Sequence, residues 1–414
     1  MMRTPIIIAV MLVTQSTTAA EIATPADLPA TPIARQVLDA DARVANARAA
    51  LNAARIEGEV TALGAHEFQA RAARQQRKIS NGPDYAEWTA SLERPIRWPG
   101  KAALDQKLGE FTVAEAEARY GDALHQASRD LLNLWMDSIG AISANDIIVA
   151  QRGSAQENLA AVEKRFRAGD AAKLDVNLAQ AELADLARAA SEHATQGAAA
   201  KARLQGRFPS ITPERPKLSQ PQPLNGDTAF WQQATFMHSH ELRIPEAQLA
   251  RAQAAAERAR AERMPDPTVG AYFVSEIGGK EKIVGASVSI PLPGKRRSLL
   301  AHQAFATVET ARLELDAKRR ALETEIAANV SLARGSYETW VAANQAASAS
   351  NENVRLIQRA YQLGEADLQA VLQARRLALA AALTAHQARV TALRAYYLLL
   401  VDAHMIWDME ASDH

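Results

Sequence analysis

The side chains best suited to chemistry are scattered along this chain. Its nine histidines stand at 66, 125, 193, 238, 240, 302, 386, 404 and 414. No two are spaced i, i+4 on a helix beside a carboxylate, the arrangement that a zinc-activated water needs. The one local cluster is MHSHE at 237–241, where His238, His240 and Glu241 offer donors for a transition metal. In a polar stretch beside a linker such residues are ordinarily solvated, and no metal site is expected there. There is no cysteine, which excludes disulfides, thiolate chemistry and a lipidated N-terminal Cys. Phosphate loops, nucleophile elbows and dinucleotide fingerprints are also missing, so the sequence reads as a non-enzyme without a cofactor.

If chemistry does not organise the chain, its elements must. Lys and Arg total 47 and Asp and Glu total 47, so charge gives no reason to expect a nucleic-acid partner. Residues 1–20 carry Arg3, an apolar stretch from Ile6 to Val13 and small residues at Thr18-Ala19-Ala20, the layout of a cleaved secretory signal. No later apolar run reaches the ~18 residues of a membrane helix. A membrane location would have to rest on strands.

A duplication dominates the rest. IRWPGK (96–101) and IPLPGK (290–295) each stand where an alternating run gives way to an Ala-rich helical one, and their glycines are 294 − 100 = 194 residues apart. Farther on, AAVEKRFRAGDAAKLDVNLAQAEL (160–183) pairs with VRLIQRAYQLGEADLQAVLQARRL (354–377) at 364 − 169 = 195. Leu159, Val162 and Phe166 fall on Val354, Ile357 and Tyr361 at helical spacing. The repeats are therefore 21–207 and 228–414, joined by a linker at 208–227 that holds five prolines. Each repeat has an opening helix, a strand pair, a very long helix and a return helix. The strands are expected at about 66–97 and 268–290, the long helices at 102–168 and 297–362, and the return helices at 171–207 and 366–407.

The strands alternate. Trp88, Ala90 and Leu92 oppose Glu87, Thr89, Ser91 and Glu93, and Val284, Ala286, Val288 and Ile290 oppose Gly285, Ser287 and Ser289. This suits a transmembrane barrel, but a half-buried soluble sheet reads the same way, and alternation alone favours the soluble sheet. The first strand is unusually basic for a lipid-facing one. Each long helical run would extend roughly 100 Å, too far for a globular domain, so it belongs to a fibre, a stalk or a tube wall.

The order signal, helix, hairpin, PGK, long helix, RFRAGDAAKLDVNLAQ and return helix, repeated once, resembles the TolC-like outer membrane factor family of tripartite efflux pumps. PDPTVGAYF (265–273) with SIPLPGKRR (289–297) is most similar to its cobalt–zinc–cadmium (CzcC) branch. The resemblance implies a mainly α fold with a β-barrel part. Four strands from each copy of a homotrimer would close a twelve-stranded outer-membrane barrel, continued by a periplasmic α-helical barrel. The implied function is a passive exit duct, serving a periplasmic adaptor and an inner-membrane RND transporter and carrying heavy-metal cations. Alternatives are a periplasmic coiled-coil structural or adaptor protein, or an outer membrane factor for drug efflux or type I secretion.

On that reading Pro99, Gly100 and Lys101, with Pro293, Gly294 and Lys295, mark the strand-to-helix junctions. Proline fixes φ for a first helical turn and glycine supplies the bend. Lys101, Lys295, Arg296 and Arg297 oppose the helix dipole there, so they are expected to meet lipid phosphates, with Trp98 as an aromatic anchor. Phe166, Gly169, Asp175, Tyr361, Gly364 and Gln373 mark the periplasmic tips, which the resemblance assigns to adaptor docking and gating. The family's acidic narrowing has no match at Ala370 and Gln373, so a carboxylate ring would have to come from Asp175 or its neighbours. A latch from Tyr361 to Asp175 is expected to close the mouth.

Overall fold

The computed structural model describes residues 23–213 and 218–407; the expected secretory signal lies outside them. The first repeat contains α1 (Thr31–Asp39), α2 (Ala42–Leu63), β1 (Gln69–Arg77), β2 (Tyr85–Pro95), α3 (Lys101–Arg167) and α4 (Lys173–Arg207). The second contains α5 (Thr228–His238), α6 (His240–Ala261), β3 (Thr268–Glu276), β4 (Glu281–Ser289), α7 (Lys295–Leu363) and α8 (Leu368–Asp402). The opening helix of the first repeat, α2, is preceded by a separate short helix, α1. The chain breaks at Ala40, and the Asp41 carboxylate caps α2 by accepting from the Arg43 and Val44 N–H groups. In the second repeat α6 begins at His240, where Ser239 Oγ accepts from the Leu242 N–H. The return helix α8 stops at Asp402 rather than Trp407, since His404 takes φ 55°.

The long helices α3 and α7 have 67 and 69 residues. Each lies against its return helix, α3 on α4 and α7 on α8, while α2 and α6 run beside their upper parts. Among the described residues no helix is long and apolar enough to cross a membrane. One antiparallel sheet ordered β1-β2-β3-β4 unites the two hairpins, because β2 pairs with β3 across the repeats. β1 and β4 are its edges, each without a partner strand on its outer side.

The main core is a girdle partway along the helices. It joins Val37 and Leu38 of α1, Leu131, Leu132 and Met136 of α3, Ile326 and Val330 of α7, and Leu393, Leu399 and Trp407 from α8 onward. The linker is packed into this belt through Phe208, Ile211 and Leu218. Asp27, fully buried, fastens the N-terminal segment there: its carboxylate accepts from the Tyr397 hydroxyl (2.7 Å) and the Ser219 N–H (2.9 Å). Its carbonyl accepts from Trp135 Nε1 (2.7 Å), so the buried polar group is satisfied. A second, smaller core of Val162, Val176, Leu368 and Leu372 binds the two helical hairpins at their far end.

Candidate functional site: a two-faced sheet, its junctions and the helical tips

The strand register resolves which residues share a face, since partners across antiparallel strands point the same way. Ala72, Ala90, Phe273 and Val284 form one row, and Ala70, Leu92, Ala271 and Ala286 the next. Trp88 stands at the end of this face, its ring 5.1 Å from that of Phe273. Val284 is 79% exposed, and Val288 and Leu92 are also bared, although they are apolar. The opposite face carries Arg71, Ser91, Tyr272 and Gly285 in one row and Gln69, Glu93, Gly270 and Ser287 in another. The basic character of β1 is thus mostly explained: Arg71 and Arg77 belong to the polar face, and only Arg74 shares the row of Trp88, Ser275 and Lys282. At the hairpin end Glu87 is buried and receives Gln75 (2.9 Å), Arg77 (2.7 Å) and the Ile277 N–H (3.3 Å). Nine- to eleven-residue strands with one apolar and one polar face have the length and pattern of a barrel wall.

Where the sheet meets the helices, side chains from both repeats form a dense ionic cluster. Lys101 has no exposed side-chain surface; its ammonium lies 3.0 Å from Glu262 and 2.9 Å from Asp266. Arg297 donates to the Glu262 carboxylate (2.6 Å) and carbonyl (2.9 Å), and Arg258 bridges Glu262 and Asp105. His66 meets Asp266 (3.1 Å), and the Trp98 N–H donates to the same carboxylate (2.8 Å). Arg97 reaches Asp105 (3.5 Å) and the carbonyls of Ala62 and Leu63, which closes the end of α2. Burial opposes ionisation of Asp266, but hydrogen bonds from Lys101, Trp98 and His66 outweigh it and hold the carboxyl at about 2. Burial likewise opposes ionisation of Glu262, and its bonds to Arg258, Lys101 and Arg297 win, so it too titrates below the ordinary range.

This corrects part of the sequence reading. Lys101 cannot face lipid phosphate, and Arg297 is turned inward onto Glu262, because two carboxylates preceding β3 sit within reach of both helix starts. Lys295 and Arg296 remain exposed, as does Trp98 at 41%. Nor do the glycines match. Gly100 has φ 90°, the left-handed conformation expected of a bend, whereas Gly294 is extended at φ −122°.

At the tips, Gly169 (φ 85°) and Gly364 (φ 78°) both end their long helices, with Asp170 N–H bonded to the Arg165 carbonyl and Glu365 N–H to that of Ala360. These are the six-residue closures that a left-handed glycine permits. The expected Tyr361–Asp175 latch is not formed. Asp175 bonds back to the Ala172 N–H (3.1 Å) at the start of α4, and the Tyr361 hydroxyl accepts from Arg165 (2.7 Å). A carboxylate three residues into a helix has orphan N–H groups beside it, so the local cap prevails. Tyr361 does tie the two repeats together, through an arginine that the sequence reading missed. Phe166 is exposed near Lys173, and Gln373 is exposed on α8. Above the tips an open groove of about 860 Å³ is lined by Ser154, Glu157, Arg165, Gln358, Tyr361 and Arg375. The signal for Arg165 was its place in RFRAGD, four residues before the helix-ending glycine.

Among the described residues no group of three or more His, Cys, Asp or Glu side chains is arranged to hold a metal ion. No family model matches the sequence, and no curated protein matches it by sequence comparison. Solved structures do match in fold. CusC, described in connection with transmembrane channel formation, superposes with a TM-score of 0.73 at 14% identity, over 90% of this chain and 91% of its own. The outer membrane protein VceC of Vibrio cholerae gives 0.72 at 17% identity, over 90% and 95%. The Neisseria gonorrhoeae MtrE outer membrane channel, in its open state, gives 0.72 at 16%, over 91% and 88%. The chain therefore has the TolC-like fold of these channel proteins along nearly its whole length.

Proposed function

We propose that this chain is the outer-membrane exit duct of a tripartite efflux pump. The observation that carries the reading is a four-stranded sheet with an exposed apolar face and two open edges, set on helices far longer than a globular core needs. Open edges in lipid leave backbone groups unpaired at several kcal/mol each, so a single sheet of four strands has to be completed by other copies. Three copies would close twelve strands, with the polar face lining the lumen and the apolar face meeting lipid. Trp98, Lys295 and Arg296 would then lie at the periplasmic interface. Below it, α3, α4, α7 and α8 would continue the tube to tips at Gly169 and Gly364. The groove above those tips would receive a periplasmic adaptor, itself bound to an inner-membrane RND transporter. Transport through the duct would be passive.

Heavy-metal cations are the substrate class we favour, on the resemblance of residues 265–273 and 289–297 to the cobalt–zinc–cadmium branch. Two measurements test the two levels of the reading. An unboiled outer-membrane fraction should contain the protein at the size of a trimer; recovery in the soluble periplasm would exclude the duct. Loss of the gene should impair growth in zinc, cobalt or cadmium more than in detergents and drugs, and the reverse order would move the duct to drug efflux.

A further inference from the structure

Four of the histidines, scattered in sequence, meet at the girdle. His404, just beyond α8, is the hub: its ring centroid lies 5.5 Å from that of His125 on α3, 5.5 Å from His238 on α5 and 5.6 Å from His240 on α6. The His125 and His404 rings are stacked at 8°. His404 occupies the position after the helix end that both tips give to glycine, with the Met405 N–H closing onto the Leu400 carbonyl. A non-glycine residue held at φ 55° there costs free energy, and its ring is what joins the elements.

The surroundings set the sign of the response to protons. From α3 come Asp122, His125 and Arg129; from α5, His238; from α6, His240 and Glu241; from α7, Lys318 and Glu325; and from the end of α8, Asp402 and His404. Arg129 pairs with Glu325 (3.0 Å) and Asp402 (3.4 Å), Lys318 with Glu241, and His125 with Asp402 (3.3 Å). Four carboxylates against two fixed cations leave two negative charges when every imidazole is neutral. Burial pushes the Asp122 carboxyl up towards its neutral form, so at most two protons on the rings balance the cluster, and any further proton puts like charges on rings in contact. Imidazole is the side chain whose charge ordinarily changes between pH 5 and 8, so acidification is the condition that adds those protons. A cavity of about 20 Å³ lined by His125, His240, His404 and Asp402 has room for a water, which gives protons a route in.

We propose that this imidazole cluster is a proton-sensitive clasp, which holds α5 and the start of α6 against α3 and the end of α8 at neutral pH and releases them in acid. The test is amide hydrogen exchange on the detergent-solubilised full protein at pH 7.5 and pH 5.0, corrected for intrinsic rates. Residues 228–245 should open about tenfold more readily at pH 5.0, while α4 keeps its protection. His404→Gly removes the hub ring and suits the left-handed backbone, so it should fold and lose most of that pH response; His238→Gln should reduce it. Equal protection of 228–245 at both pH values in the wild type would overturn the proposal, as would a full response in His404→Gly. EDTA must leave the wild-type response unchanged; if EDTA abolishes it, the rings answer to a bound ion and the clasp is wrong.

Discussion

Pro99-Gly100-Lys101 and Pro293-Gly294-Lys295 stand at equivalent places in the two repeats, yet their backbones and charges do different things. Gly100 bends the chain at φ 90° and lets Lys101 turn into a closed ionic pocket, its N–H bonded to the Trp98 carbonyl (3.2 Å). Gly294 is extended, α7 starts directly, and Lys295 points to solvent. The cause lies in what each junction packs against. The first is met by Glu262 and Asp266, on the link between α6 and β3. The corresponding link in the first repeat gives the His66 carbonyl to Arg94, while Arg97 takes the carbonyls at the end of α2; at the second junction Arg297 rather than Lys295 reaches Glu262. Duplication copied the motif, and the acidic link in one copy gave the two lysines separate roles.

The largest expected effect follows from that asymmetry. Lys101→Met leaves Glu262 and Asp266 short of a buried partner, a loss of about 3–5 kcal/mol by the usual cost of breaking a buried pair. Lys295→Met removes only an exposed charge and should stay within about 0.5 kcal/mol. Chemical denaturation of the two variants in one detergent measures this, and similar losses would mean that the buried cluster does not hold the junction together.

Glycine gives the next contrast. A Cβ at either Gly100 or Gly294 would meet nothing within 4 Å, so backbone conformation alone separates them. Gly100→Ala must carry a side chain in the left-handed region and should cost about 1–2 kcal/mol. Gly294→Ala is free of that strain and should be neutral or stabilising by up to about 1 kcal/mol. The midpoint difference between the variants is the readout.

Strong acid should loosen the ionic cluster at the first junction. The Asp266 carboxyl is held at about 2, below the ordinary carboxylate value, so its contribution is present at neutral pH and is lost as pH falls from about 4 towards 2. Asp266→Asn should flatten that part of the stability profile and leave the rest unchanged. If the wild-type profile below pH 4 survives the substitution, the loss of stability originates elsewhere.

The elements were legible because their signals are local. Helical spacing before Gly169 and Gly364 and strand alternation around Trp88 and Val284 lie within short windows, and each PGK motif is a short string that can be matched to its copy. The ionic cluster was not, because it joins Lys101 to Glu262 and Asp266, 161 and 165 positions away, Asp105 to Arg258, 153 away, and His66 to Asp266, 200 away. Glu262 and Asp266, in ERMPDP, carry no local sign of the partners they meet. One clue was present: cations against a helix dipole need an anion. The sequence supplied the need without the partner, and for Lys101 and Arg297 the partner is a carboxylate. Asp175 shows the converse, since its three-residue distance from Ala172 explains its bond better than any contact across the tip.

The smallest effect on folding, and the sharpest test of what remains at the second junction, belongs to Lys295 and Arg296. Both are exposed in the single chain, so reversing both to Glu should change solution stability by no more than about 0.5 kcal/mol. It would even improve the match to the helix dipole. At an anionic membrane surface the same change replaces attraction worth about 1 kcal/mol per basic residue with repulsion. The double variant should therefore fold normally in detergent while less of it assembles in the outer membrane. Normal assembly would leave these charges without a lipid role, and a loss of stability in detergent would place them, like Lys101, within the folded network.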